Sequence, residues 1–146
     1  MGVTFSGGVQ IFILLLWSGL SIAMITIGVM YKDKCPGRPL IPIYLIVAGT
    51  SYLLTILLLP LKRCCRQLCA VLEGFLLIFI ICWLITGSFW VFSIYLVYPL
   101  FCDTVLYQFS FGILIFQYIY VVIVSVTLVF VICFVGFKSL TKASLI

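Results

Sequence analysis

Four long apolar stretches, separated by short polar or proline-bearing segments, set the pattern of this chain. The first is VQIFILLLWSGLSIAMITIGVM, Val9 to Met30, and the second is IPIYLIVAGTSYLLTILLL, Ile41 to Leu59. The third runs from about Val71 to Tyr95 and the fourth from about Leu106 to Phe137. A helix that crosses a bilayer needs about 20 mostly apolar residues, so each stretch predicts one spanning helix. Pro42 falls in the first turn of the second helix, where a missing N–H costs little, and Pro60 closes that helix. The fourth is long enough to tilt or to run beyond the bilayer. The expected fold class is all-α: an integral membrane four-helix bundle, one domain over residues 1–146. A cleaved signal peptide is not expected. The first span has no basic leading region, its apolar part is too long, and no A-x-A-like site follows it.

Composition strengthens the membrane reading. The chain is 66% hydrophobic and 8% charged, against about 25% charged residues in soluble domains. A chain of 146 residues lacks the interior volume to hide so much apolar surface from water. Lipid is therefore the expected solvent and the first partner. The net charge is +5, but the cations sit in short loops beside spans. There they act as topology signals and as attraction to anionic headgroups, and no nucleic-acid partner is expected. The sequence has no His and no Asn. That removes the Ser-His-Asp arrangement, His-ligated zinc and haem, the usual general base, and Asn-linked glycans. Neither an enzyme nor a cofactor or metal site is expected.

The loop cations also orient the chain. Lys62, Arg63 and Arg66 follow the second span, and Lys138 and Lys142 follow the fourth. Lys32, Lys34 and Arg38, with Asp33 among them, lie between the first two spans. The first set outnumbers the second, so the positive-inside rule puts both termini in the cytosol. Cys35 and Cys102 then share the exoplasmic side, an oxidising compartment, and are the only cysteines there. Their pairing is unique, and a Cys35–Cys102 disulfide is expected. The alternative is two free thiols on separate loops. The expected location is the secretory route, with the plasma membrane as destination.

The stretch LPLKRCCRQLCAVLE, Leu59 to Glu73, places Cys64, Cys65 and Cys69 among Lys62, Arg63 and Arg66. A zinc site needs four tetrahedral ligands, and this set lacks the fourth. No C-x-x-C redox pair is present. Juxtamembrane cysteines beside cations are substrates for S-palmitoylation, with plain interfacial thiols as the alternative. MGVTFS fits the myristoylation pattern, with Gly2 and Ser6 in place.

Polar residues inside the spans tend to face other helices or a water path. Ala48, Ser51 and Thr55 fall on one stripe of the second span. Gly19, Ala23 and Thr26 do so in the first, with Ser18 and Ser21 beside them. Small residues let backbones approach, and hydroxyls can bond across the contact. Gln117 and Ser125 share a face of the fourth span, and Gln108 lies near its outer end. Bundle packing is the plain reading. The alternative makes Ser18, Ser21, Ser51, Thr55 and Gln117 pore-lining. Glu73 is the one carboxylate near a span. It reads as a surface pair with Arg66 or Lys62, or as a charged ring in an oligomeric pore. Trp90, Phe92, Tyr95 and Tyr98 suit the outer headgroup belt.

Three segments come in a recognisable order: CPGRPLIPIYLIVAG (Cys35 to Gly49), GSFWVFSIY (Gly87 to Tyr95) and FCDTVLYQFSF (Phe101 to Phe111). In these the chain resembles the transmembrane protein 272-like family of small four-span vertebrate proteins, over about residues 20 to 130. The resemblance implies four helices, a membrane location and one cysteine in each exoplasmic loop, here Cys35 and Cys102. It brings no biochemical activity. The third loop, LVYPLFCD, is shorter than the family pattern. The function expected is therefore non-enzymatic: a scaffold or accessory subunit acting through helix and lipid contacts. The alternative is a homo-oligomeric channel or pore subunit for ions or small solutes, since small four-span subunits can close a path as rings.

Overall fold

A computed structural model describes residues 2–36, 39–96 and 102–146, with side chains from Gly7 onward. Arg38, Tyr98 and the side chain of Ser6 lie outside the described residues. Four helices account for nearly all of the rest: α1 (Gly2–Met30), α2 (Leu40–Leu61), α3 (Arg66–Ser93) and α4 (Thr104–Ser144). All four are long and apolar enough to cross a membrane. The fold is all-α, and among the described residues there is no strand. The helices outrun the apolar stretches at most ends. Backbone hydrogen bonding continues through interfacial residues until a loop is needed, so α3 starts at Arg66 rather than Val71. With 41 residues, α4 is about 60 Å long at 1.5 Å per residue, twice the roughly 30 Å hydrocarbon core.

The chain forms two compact units, Met1–Phe111 and Gly112–Ile146. In the first, α2 is the middle helix and packs against both α1 and α3. The α1–α2 seam depends on two glycines. A Cβ placed on Gly28 would lie 2.9 Å from the Pro42 carbonyl oxygen and 2.6 Å from Ile46 Cγ1. On Gly49 it would lie 2.8 Å from the Ser21 carbonyl oxygen and 2.8 Å from Ile25 Cγ1. Small residues at such points let two backbones meet, the usual source of helix association where lipid removes any hydrophobic drive between helices. Trp17 closes the far end of the seam against Tyr52, ring centroids 4.9 Å apart.

On its other side α2 presents Tyr44 to α3. A Cβ on Gly87 would fall into the Tyr44 ring. Trp83 Nε1 donates to the Tyr44 carbonyl oxygen at 3.2 Å. The second unit is the remainder of α4, and every residue from Tyr118 to Ile146 is exposed. Leu15, Phe75, Phe89 and Phe130 are each more than two-thirds exposed. Apolar faces of this extent are incompatible with water, and they are what a helix shows to lipid.

Candidate functional site: a disulfide-closed end and a basic cysteine turn

The two loops flanking α2 mark the two ends of the first unit, about 33 Å apart along the 22 residues of that helix. At one end Cys35 and Cys102 form a disulfide that spans 67 residues of sequence. Both cysteines are buried. Beside them the Asp103 N–H donates to the Lys34 carbonyl oxygen at 3.0 Å. The Asp103 carboxylate accepts from the N–H groups of Val105 at 2.9 Å and Leu106 at 3.4 Å. It thus satisfies orphan donors in the first turn of α4, as an N-cap does. One turn further on, Tyr107 donates its hydroxyl to the Val91 carbonyl oxygen at 3.0 Å. Phe111 packs edge-on to Phe92, centroids 5.8 Å apart, and lies 5.9 Å from Tyr95. The residues read as a headgroup belt are therefore partly spent on joining α3 to the start of α4.

At the other end, Lys62 to Cys65 make the whole connection between α2 and α3. The turn is tight: the N–H groups of Cys64 and Cys65 both donate to the Leu61 carbonyl oxygen, at 3.0 and 3.1 Å. Cys64 and Cys65 are exposed, while Cys69, one turn into α3, is buried. Lys62 Nζ lies 2.6 Å from Glu73 Oε2, with both side chains partly exposed. Gly2 is the first residue of α1.

Among the described residues, the hydroxyls of Ser21, Ser51 and Thr55 bond within their own helices, not across the seam as the small-residue stripes suggested. Ser21 donates to the Trp17 carbonyl, Ser51 to Val47 and Thr55 to Ser51, each four residues back on its own helix. Such back-bonding is the route open to a hydroxyl in a helix with no polar partner opposite. The stripe on α1 is also rotated from the expected one. The buried line is Ser21, Met24 and Gly28, whereas Gly19 has open space around it and Thr26 is exposed. On α2, Ala48 and Ser51 are buried and Thr55 is half-buried; Ser18 on α1 is half-buried as well. Gln117 is buried. Among the described residues, every buried side-chain nitrogen and oxygen has a hydrogen-bond partner.

Transmembrane protein 272 of Homo sapiens is 30% identical to the chain over 126 aligned residues, covering 65% of this chain and 67% of the human protein. No protein-family model matches the chain, and no solved structure does.

Proposed function

The chain belongs to the transmembrane protein 272 family, and from that premise we propose that this multi-pass membrane protein is a non-enzymatic scaffold or accessory subunit. It works through the faces that its helices turn to lipid and to neighbouring proteins. The observation that carries the reading is how the span hydroxyls are used. Ser21, Ser51, Thr55 and Ser88 all bond to carbonyls of their own helices. The outward faces, meanwhile, are dominated by Leu, Ile, Val and Phe. Such a body offers water and ions little to coordinate.

The proposed sidedness puts both termini and the Lys62–Cys65 turn in the cytosol, with the disulfide end exoplasmic. Two observations support it. A disulfide persists in an oxidising compartment of the secretory route, and the cations that follow the second and fourth spans, Lys62, Arg63, Arg66, Lys138 and Lys142, outnumber Lys32, Lys34 and Arg38 after the first.

The test is the protein reconstituted in lipid, imaged as particles and recorded in planar bilayers. A scaffold gives monomers or dimers and silent bilayers. A ring of defined size with reproducible conductance would replace this reading with the homo-oligomeric channel. For sidedness, a tag at either terminus should resist an impermeant probe on intact cells, and labelling there would overturn the assignment.

A further inference from the structure

We infer that Cys64 and Cys65 are a paired S-acylation site, loaded with long-chain fatty acyl groups. The inference rests on the cytosolic placement of the Lys62–Cys65 turn. Five cysteines are free of the disulfide: Cys64, Cys65, Cys69, Cys82 and Cys133. The structure separates them by place. Cys69 is buried. Cys82 is exposed but belongs to the interior of α3, and Cys133 lies in the apolar run of α4. Cys82 is at a depth that the charged head of an acyl donor does not reach, and Cys133 stands on a continuous helix rather than in a turn. Cys64 and Cys65 alone combine exposure with a position outside the helices, at the hydrocarbon boundary.

Two further features fit an acyl chain. Arg63 and Arg66 flank the thiols and attract both anionic headgroups and the phosphates of an acyl-coenzyme A. Leu61 and Leu68, on the two helix ends that meet at the turn, are each more than half exposed. Chains attached at Cys64 and Cys65 therefore enter the bilayer along apolar surface on both sides. Every CH₂ of the chain that enters the hydrocarbon adds membrane affinity, which pins the turn to the inner leaflet.

The step is a transthioesterification. The cysteine sulfur attacks the acyl carbonyl, a new sulfur–acyl bond forms, and the bond between the acyl carbon and the sulfur of coenzyme A breaks. The cysteine proton leaves with coenzyme A, which departs as the free thiol. No electrons are transferred and no oxidant is needed.

The test uses the full chain expressed in cells. Free thiols are blocked after reduction, thioesters are cleaved with hydroxylamine, and the released thiols take a mass tag. The parent should carry up to two tags. Cys64→Ser and Cys65→Ser should each remove one, and the double variant should remove both. Cys69→Ser, Cys82→Ser and Cys133→Ser should leave the pattern unchanged. The double variant must keep the Cys35–Cys102 bridge under non-reducing alkylation, which excludes misfolding as the cause of tag loss. Tags persisting in that double variant would overturn the inference. So would a parent without tags whose termini are shielded from impermeant probes, a result that leaves the proposed sidedness standing. Termini open to the probe would instead overturn the sidedness, and the acylation with it.

Discussion

Gly49→Ala tests the α1–α2 seam directly. The added Cβ would lie 2.8 Å from the Ser21 carbonyl oxygen and 3.3 Å from Met24 Cβ. Ordinary van der Waals contact begins near 3.4 Å. The oxygen belongs to backbone and cannot rotate away, so α1 must move off α2 by roughly 0.6 Å. A gap of that size forfeits about a quarter of the dispersion well for each atom pair along the seam. Overpacking of this kind costs about 1–3 kcal/mol. The better helix propensity of Ala returns less than about 1 kcal/mol. A net loss of about 1–2 kcal/mol follows, a factor of about 5–30 in the folded population.

Gly28→Ala strains the same seam from the other helix, against the Pro42 oxygen at 2.9 Å. Its effect should be similar. The double variant should cost less than the sum, because once α1 has moved outward the second methyl finds its space already made. The assay is reversible unfolding in mixed micelles followed by tryptophan fluorescence, with Trp17 on the seam itself. Gly19→Ala, Gly74→Ala and Gly136→Ala are the controls, since a Cβ at each meets nothing within 4 Å. They should be neutral or slightly stabilising. If Gly49→Ala is as stable as the parent, or Gly19→Ala costs as much, the seam is not where these distances put it.

Trp83→Phe keeps an aromatic side chain but loses the indole N–H that donates to the Tyr44 carbonyl; the lost bond should cost about 0.5–1.5 kcal/mol in the same titration. Asp103→Ala removes the cap of α4; about 1 kcal/mol of local stability should go, read as faster amide exchange at Val105 and Leu106. Cys35→Ser should free Cys102 for an impermeant maleimide on intact cells, and equal labelling with and without Cys35 would contradict the bridge. Glu73→Gln breaks a partly exposed pair with Lys62, worth about 0–1 kcal/mol; a loss above about 2 kcal/mol would mean the carboxylate does more than pair at the surface.

The spans were legible because lipid imposes a length on them. The disulfide was legible because the topology isolates Cys35 and Cys102 on one side. The seam was not. A helix that is apolar all round gives no rotational signal, so Gly19–Ala23–Thr26 looks as good a contact line as Ser21–Met24–Gly28. Only the partner helix selects between them, through the Pro42 and Ser21 carbonyls that Gly28 and Gly49 meet. The Trp83–Tyr44 bond was hidden for the same reason, joining residues 39 apart through a backbone atom. Asp103 did carry a signal. An Asp directly before an apolar helical run is a start mark for a helix, and Asp103 stands directly before Thr104, the first residue of α4. Hydroxyls in spans are ambiguous by nature, since a Ser can turn to a neighbour or back to its own carbonyl. Ser21, Ser51 and Thr55 took the second course.

The two ends of the first unit are held by unlike forces, and that difference bears on function. One end combines a disulfide, the Asp103–Lys34 backbone bond, the Asp103 cap and the Tyr107–Val91 bond. The other end has a four-residue turn and one surface ion pair. Local opening follows such differences in contact, so the cysteine turn should exchange its amides far sooner than the disulfide end. Under the proposed role and sidedness, such a protein would present its fixed face for recognition on the exoplasmic side. Its yielding end is the one that a modifying enzyme can reach. Acyl chains at Cys64 and Cys65 would then supply the anchoring that the fold itself leaves weak at that end.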